Sequence, residues 1–376
     1  MAPSTQLYEQ PFYSQISPSK SIDSNILREA FVLHGHSFPD NPKLNLKVTA
    51  NRYRWSAYRH SYPNDRLDEG LTLLLFHAIG CHKEQWEPVI TRLFHLSEST
   101  KHENIREVWA FDRENHGDAA LLNREALKLW PACLPINEWA LTVADLVKSK
   151  LQGHRLVAIG HSAGAGVAML TTKYAYDAHV HFTSTILIEP TICTRQIFQE
   201  TYDERIAGIR MTEELTLRRR DVWASREDAY AYLKKRNPWS AWDDRVLRLY
   251  TKHGMRSTGS KGEVTLKCSR LLESAIYADI EGQQESAEIF EELCEEIPIH
   301  VVWGGIHDFS SFSPQLKKDL LNPNSGRIAA SVTVVPNAGH MVPLQQPISL
   351  ADTVSRLLNN LSVPYTNNIH KFAVKL

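Results

Sequence analysis

The stretch Leu156-Val-Ala-Ile-Gly160-His-Ser-Ala-Gly164-Ala-Gly-Val-Ala-Met-Leu170 decides how this chain folds. It opens on apolar residues without alternation, as a strand buried on both faces requires. It closes on small and aliphatic residues, as a helix packed tightly onto a sheet requires. Between the two, Gly160-His161-Ser162-Ala163-Gly164 fits the pattern G-x-S-x-G. A serine on so tight a strand-to-helix turn is held in a strained backbone conformation, and side chains at the two glycines would clash. The following helix points its positive end at the serine and favours negative charge developing there. Ser162 is therefore the first candidate for a nucleophile.

Working outward, further short apolar runs read as buried strands: residues 71–76, 108–111, 185–188, 299–303 and 332–335. Helical patterns separate many of them, such as 137–150, with Asn137 as its expected cap. This alternation predicts right-handed crossovers and a mostly parallel sheet. The looser alternation at 26–32 and 44–55 predicts an antiparallel edge. From about 191 to 295 the rhythm breaks into helix-like patterns at 212–220, 225–235, 242–252, 263–278 and 284–296, with few strand candidates. A helical block inserted between two sheet strands predicts a cap over the carboxyl edge of the sheet, where open α/β sheets bind ligands. Its many aromatics would supply the apolar walls of a pocket. The expected organisation is a core of 24–190 and 296–362, a cap of 191–295, and tails at 1–23 and 363–376.

The chain has 376 residues, 43% hydrophobic and 23% charged, with a formal net charge of −1. That balance gives no electrostatic case for nucleic acid or an anionic membrane as partner. No apolar run is long enough to span a bilayer, and residues 1–18 lack the apolar centre of a signal peptide. Five scattered cysteines without a C-x-x-C pair fit a reducing compartment. No H-E-x-x-H or Gly-rich phosphate loop suggests a metal or a nucleotide cofactor. His34-Gly35-His36 reads as a surface loop, and Cys81 as a packing residue.

Three segments lie where chemistry would need them. His77-Ala78-Ile79-Gly80 follows the strand 71–76. Pro336-Asn-Ala-Gly-His340-Met-Val-Pro343 follows the last strand, and its His340 comes after Ser162 in the chain. Two carboxylates close strands: Asp308 in Trp303-Gly-Gly-Ile-His-Asp308 and Glu189 in Ile186-Leu-Ile-Glu189-Pro190. Either could orient an imidazole and stabilise its cation. Asp112-Arg-Glu-Asn-His-Gly117 reads as a structural turn with an ion pair.

These segments, with Gly160–Gly164 and His77–Trp86, resemble the α/β-hydrolase superfamily. Within it they look like the fungal branch that includes the yeast peroxisomal lipase and hydrolases of host-selective toxin biosynthesis. The resemblance implies the α/β-hydrolase fold. It implies Ser162 as nucleophile, His340 as general base, and backbone N–H groups of Ile79 and Ala163 as the oxyanion hole. Asp308 stands at the usual place for the acid and is preferred, with Glu189 as the alternative. Ala78 departs from the usual glycine. The implied reaction is hydrolysis of an apolar carboxylic ester or thioester by a carboxylesterase- or lipase-like serine hydrolase. The alternatives are acyl transfer or thioester cleavage in fungal secondary metabolism, and a non-catalytic ligand-binding homologue. Epoxide hydrolases and haloalkane dehalogenases would want Asp at position 162. The terminal Val374-Lys375-Leu376 resembles the peroxisomal Ser-Lys-Leu address. The expected location is thus peroxisome or cytoplasm, with the peroxisomal import receptor as a partner.

Overall fold

The computed structural model describes residues 13–362 apart from 24, 39–40, 57–69, 100–104, 130–132, 178 and 309–313. Twelve strands occur among the described residues. The antiparallel edge is β1 (Tyr13–Asp23), β2 (Ile26–Phe38) and β3 (Asn41–Trp55). Then come β4 (Leu71–Phe76), β5 (Ile105–Asp112), β6 (Arg155–His161) and β7 (His181–Ile188). A small sheet holds β8 (Val222–Trp223), β9 (Met255–Ser257) and β10 (Val264–Leu266). The chain returns to the main sheet in β11 (Ile299–Gly304) and β12 (Ser331–Val335). The main sheet has nine strands in the order β1-β2-β3-β5-β4-β6-β7-β11-β12. Its strands from β5 to β12 in that order run parallel to one another.

The two-residue side-chain period sorts the strand residues onto two faces. Leu74 and Phe76 of β4 and Leu156 and Ala158 of β6 join one core with helices Ile136–Lys150, Ala163–Tyr174 and Glu281–Leu293. Leu71, Leu73 and Leu75, with Val157 and Ile159, join the other core with helices Glu87–Ser99 and Pro347–Asn359. Because both faces are covered, strands β4 and β6 read as continuous apolar runs. This is an α/β-hydrolase fold with a mostly parallel central sheet.

Several expectations change. Residues 13–23, expected as tail, form β1 and pair antiparallel with β2. Residues 263–278 do not form one helix. They begin as β10, the middle strand of the small sheet, followed by helix Arg270–Ala275. Helix Glu281–Leu293, placed in the cap by its position in the chain, packs Ala287, Phe290 and Leu293 into the main core. Pro135, not Asn137, occupies the N-cap of its helix. The Asn137 amide instead donates to Tyr174 Oη (2.7 Å) and to Glu285 (2.6 Å). His34 and Gly35 lie within β2, not on a loop. The five cysteines are free thiols, and Cys81 is buried as a packing residue.

The remainder of the inserted block rests on the carboxyl edge of the sheet. Trp223, Leu233, Trp242, Leu247 and Tyr250 form a third apolar cluster that reaches down to Ala78, Cys81 and Leu344. Polar ties fasten the two parts: Lys267 to Asp118 (2.6 Å) and the Asp243 N–H to the Leu344 carbonyl (2.8 Å).

Candidate active site

Ser162 follows β6 and caps the helix Ala163–Tyr174, with φ 56 and ψ −121. Positive φ is unfavourable for a side chain with a Cβ, so the turn stores about 1–3 kcal/mol of strain. Both flanking glycines are forced by packing. A Cβ at Gly160 would stand 2.0 Å from the Gly164 carbonyl oxygen, and one at Gly164 would stand 2.5 Å from that of Phe76. The turn can therefore close only with these glycines, as the sequence reading expected.

His340 lies on the loop after β12, and its Nε2 is 3.0 Å from Ser162 Oγ. Its Nδ1 faces Glu189 Oε2 at 3.3 Å. Glu189 stands at the end of β7, the strand beside β6, and has φ 44, a second strained non-glycine residue. Its other oxygen accepts the Gly304 N–H at 2.6 Å, and the Lys317 ammonium lies 3.9 Å away.

Asp308, the preferred acid of the sequence reading, is placed differently. Its Oδ1 accepts the backbone N–H of His340 at 2.7 Å, and Gln345 Nε2 lies 3.5 Å from its Oδ2. The carboxylate occupies the space a side chain at position 339 would need, since a Cβ there would lie 1.8 Å from Oδ2. So Asp308 shapes the histidine loop, whereas Glu189 meets the ring.

His161, the variable residue before the serine, adds a contact that the pattern could not announce. Its Nε2–H donates to the His340 carbonyl at 2.8 Å, and the two rings lie 5.4 Å apart. Burial and the neighbouring His340 push its pKa down to about 3, so it stays a neutral prop.

The loop after β4 has a comparable support. His77 donates through Nδ1–H to the Ala78 carbonyl (2.8 Å) and accepts the Arg113 N–H at Nε2 (3.3 Å). Burial pushes its pKa down to about 3. His116 Nε2 accepts the Gly80 N–H at 3.0 Å, and burial likewise holds this ring neutral. The Cys81 N–H goes to the Ala78 carbonyl at 3.1 Å. Among the described residues the Ile79 N–H has no hydrogen-bond partner. Ala163 opens the helix after Ser162, where backbone N–H groups lack intrahelical acceptors. The His116 role was missed in the sequence, because the turn 112–117 shows its function only once β5 lies beside β4.

A cavity of about 430 Å³ opens over this arrangement, with Ser162, His340 and Ile79 at its floor and Phe198, Trp239 and Trp242 among its walls. No group of three His, Cys, Asp or Glu residues among the described residues could hold a metal ion. No helix among them is long and apolar enough to cross a membrane.

A doubly covered parallel sheet, a strained serine before a helix and a histidine on the last strand's loop define a class of α/β enzyme scaffold. The chain belongs to the alpha/beta hydrolase family, whose model matches residues 73–353. It is 26% identical over 229 residues to the abhydrolase domain-containing protein AKT2 of Alternaria alternata, covering 53% of this chain and 81% of that protein. It is 26% identical over 189 residues to the type I acyl-CoA thioesterase mpaH of Penicillium brevicompactum, covering 50% of this chain and 41% of that protein. Its fold is similar to that of the peroxisomal alpha-beta-hydrolase Lpx1 of Saccharomyces cerevisiae, with a TM-score of 0.69, 18% identity and 94% of each chain covered.

Proposed function

We propose that the protein is a serine hydrolase that cleaves a carboxylic ester or thioester of an apolar small molecule through an acyl-enzyme. The observation that carries this reading is the 3.0 Å contact between His340 Nε2 and the hydroxyl of a serine held at φ 56. In this mechanism Ser162 Oγ attacks the carbonyl carbon while His340 Nε2 takes its proton. Glu189, facing Nδ1, holds the tautomer and stabilises the imidazolium. The N–H groups of Ile79 and Ala163 receive the oxyanion. His340 then protonates the leaving alcohol or thiol, and later activates the water that releases the acid.

The choice between ester and thioester does not alter these steps. Thioester cleavage gains support from the resemblance to mpaH, and the apolar cavity walls suit either acyl group. A fluorophosphonate probe tests the reading. It should label wild type at Ser162 and fail on Ser162→Ala. Absence of labelling in folded wild type would leave a ligand-binding homologue instead.

Import into peroxisomes is the location we favour, on Val374-Lys375-Leu376 and the likeness to a peroxisomal hydrolase. The three terminal residues lie outside the described residues. A fluorescent protein carrying residues 365–376 should become punctate with peroxisomes and should turn diffuse when Lys375 and Leu376 are removed.

A further inference from the structure

The charges on the cavity wall do not cancel in pairs. Arg219 makes a two-pronged bond to Glu273, at 2.9 Å and 2.6 Å, so its charge is matched although its Nε, too, has no hydrogen-bond partner. Asp308 is held to the His340 backbone. Arg205 is different. It lines the same cavity from the helix Tyr202–Arg218 and is half-buried. Its Nε is shielded from solvent and has no hydrogen-bond partner. Its guanidinium carbon lies 5.7 Å from the ring centre of Phe198, another wall residue, and it forms no ion pair among the described residues.

The local sequence explains why. On a helix, side chains three and four positions apart meet. At those distances from Arg205 stand Tyr202, Thr201, Gly208 and Ile209, none of them a carboxylate. Glu204, the adjacent residue, also borders the cavity but is exposed. A shielded guanidinium donor without an acceptor is costly, because it has given up water for nothing. Arginine's planar fork matches a carboxylate or phosphate through two parallel hydrogen bonds.

We infer that Arg205 is a substrate-recognition residue, and that the substrate is an anionic ester or thioester whose charged group docks on this guanidinium while its apolar portion lies along the aromatic wall. The inference rests on the serine-hydrolase reading for the reaction but not for the binding. The anion can sit on the acyl side or on the leaving group, so the test has an arm for each.

In the first arm, 4-nitrophenyl half-esters of linear dicarboxylic acids, from succinate to sebacate, are compared with their neutral methyl diesters. In the second, acyl-coenzyme A is compared with the same acyl thioester of N-acetylcysteamine. Wild type should favour the anionic member of at least one pair in kcat/KM by about 10- to 100-fold. Arg205→Met should abolish that preference while leaving turnover of the neutral member within a few-fold. Arg205→Lys should keep part of it, since charge survives and the fork does not. Equilibrium binding to Ser162→Ala, read by quenching of cavity tryptophans, should show the same anion preference and the same loss on adding Arg205→Met. Selective binding without fluorophosphonate labelling of wild type would sink the serine mechanism and keep Arg205. Labelling with no anion preference in either arm would overturn the role of Arg205 and keep the mechanism. Equal losses on anionic and neutral members in Arg205→Met would also overturn it, by making the residue a support of the cap.

Discussion

Replacing Glu189 by Gln and, separately, Asp308 by Asn tests which carboxylate serves the imidazole. The two side chains meet His340 at different atoms: Glu189 Oε2 lies 3.3 Å from Nδ1, while Asp308 Oδ1 accepts the backbone N–H at 2.7 Å. When His340 takes the serine proton, a positive charge forms on the ring. At 3.3 Å and an effective dielectric constant near 20, a facing carboxylate stabilises it by about 5 kcal/mol. That corresponds to about three to four orders of magnitude in rate. Glu189→Gln keeps the shape but removes this charge, and its amide can present an N–H to Nδ1 and favour the wrong tautomer. Asp308→Asn retains an oxygen that can accept the His340 N–H. It loses only the charge assistance of one hydrogen bond, about 1–1.5 kcal/mol or roughly tenfold. Steady-state hydrolysis of a 4-nitrophenyl ester should therefore place kcat of Glu189→Gln at least about a hundredfold below that of Asp308→Asn. Rates of fluorophosphonate labelling should rank the same way. Thermal melts and circular dichroism guard against misfolding of the buried Glu189 site. If Asp308→Asn proved the more damaging in both assays with both variants folded, Asp308 would be the acid and the reasoning from Nδ1 would fail.

Other outcomes follow from the same geometry. Ser162→Ala should lower kcat by about three or more orders of magnitude; activity above a tenth of wild type would remove the serine from the mechanism. Ser162→Gly should melt a few degrees higher, because glycine relieves the strain at φ 56, of order 1–3 kcal/mol; an unchanged or lower melting temperature would mean the turn stores none. His77 and His161 have folded-state pKa values pushed down to about 3 from 6.5, so below pH 6.5 the unfolded chain binds protons that the folded chain refuses. Stability is then fully present above pH 6.5 and is lost toward pH 3, by up to about 1.4 kcal/mol per pH unit for each histidine; a urea midpoint unchanged between pH 6.5 and 5 would contradict this. Trp239→Ala removes a half-buried wall residue. It should shift kcat/KM for bulky esters about tenfold relative to acetyl esters, with fluorophosphonate labelling unchanged; equal losses on all substrates would assign Trp239 to the fold.

What was legible in the sequence tracks the range of the forces involved. Strand β6 and the helix after it were readable because burial on both faces demands unbroken apolarity, and the tight turn between them demands Gly160 and Gly164. The two cores likewise follow from period-two sorting along β4 and β6. The part that escaped depends on which strand lies beside which. Glu189 and Asp308 both follow strands, and nothing local says which carboxylate meets the ring and which the backbone. The structure separates them because β7 adjoins β6 directly, whereas β11 lies one strand further out. Strand β10 reads in the sequence as the start of a helix, since three residues give too little periodicity to resolve. Helix Glu281–Leu293 belongs to the cap by its place in the chain, which says nothing of where it packs.

The loop that bears Ile79 shows how much of the molecule is spent on holding one N–H in place. Two of its neighbours are already committed, the Gly80 N–H to His116 and the Cys81 N–H to the Ala78 carbonyl. His116 can accept only as a neutral ring, and its burial ensures that. Its own Nδ1 meets Asn115 Oδ1 at 2.7 Å, which fixes the tautomer. Below this turn the Lys83 ammonium, itself buried, bonds Asp112 (2.6 Å), Asp118 (2.8 Å) and Glu84 (2.8 Å). Burial alone would lower the pKa of Lys83, but the surrounding carboxylates outweigh it and keep the charge. Asp118 also binds Lys267 of the inserted block, so one ionic cluster joins the end of the loop, the turn after β5 and the cap. Breaking such a buried cluster by removing one partner costs about 3–5 kcal/mol, since it strands the remaining charges. Lys83→Met should therefore lower the melting temperature strongly. If the cluster also sets the loop, the same change should slow ester turnover more than fluorophosphonate reaction with Ser162 can account for. A variant that melts early but keeps the wild-type ratio of the two rates would confine the cluster to stability.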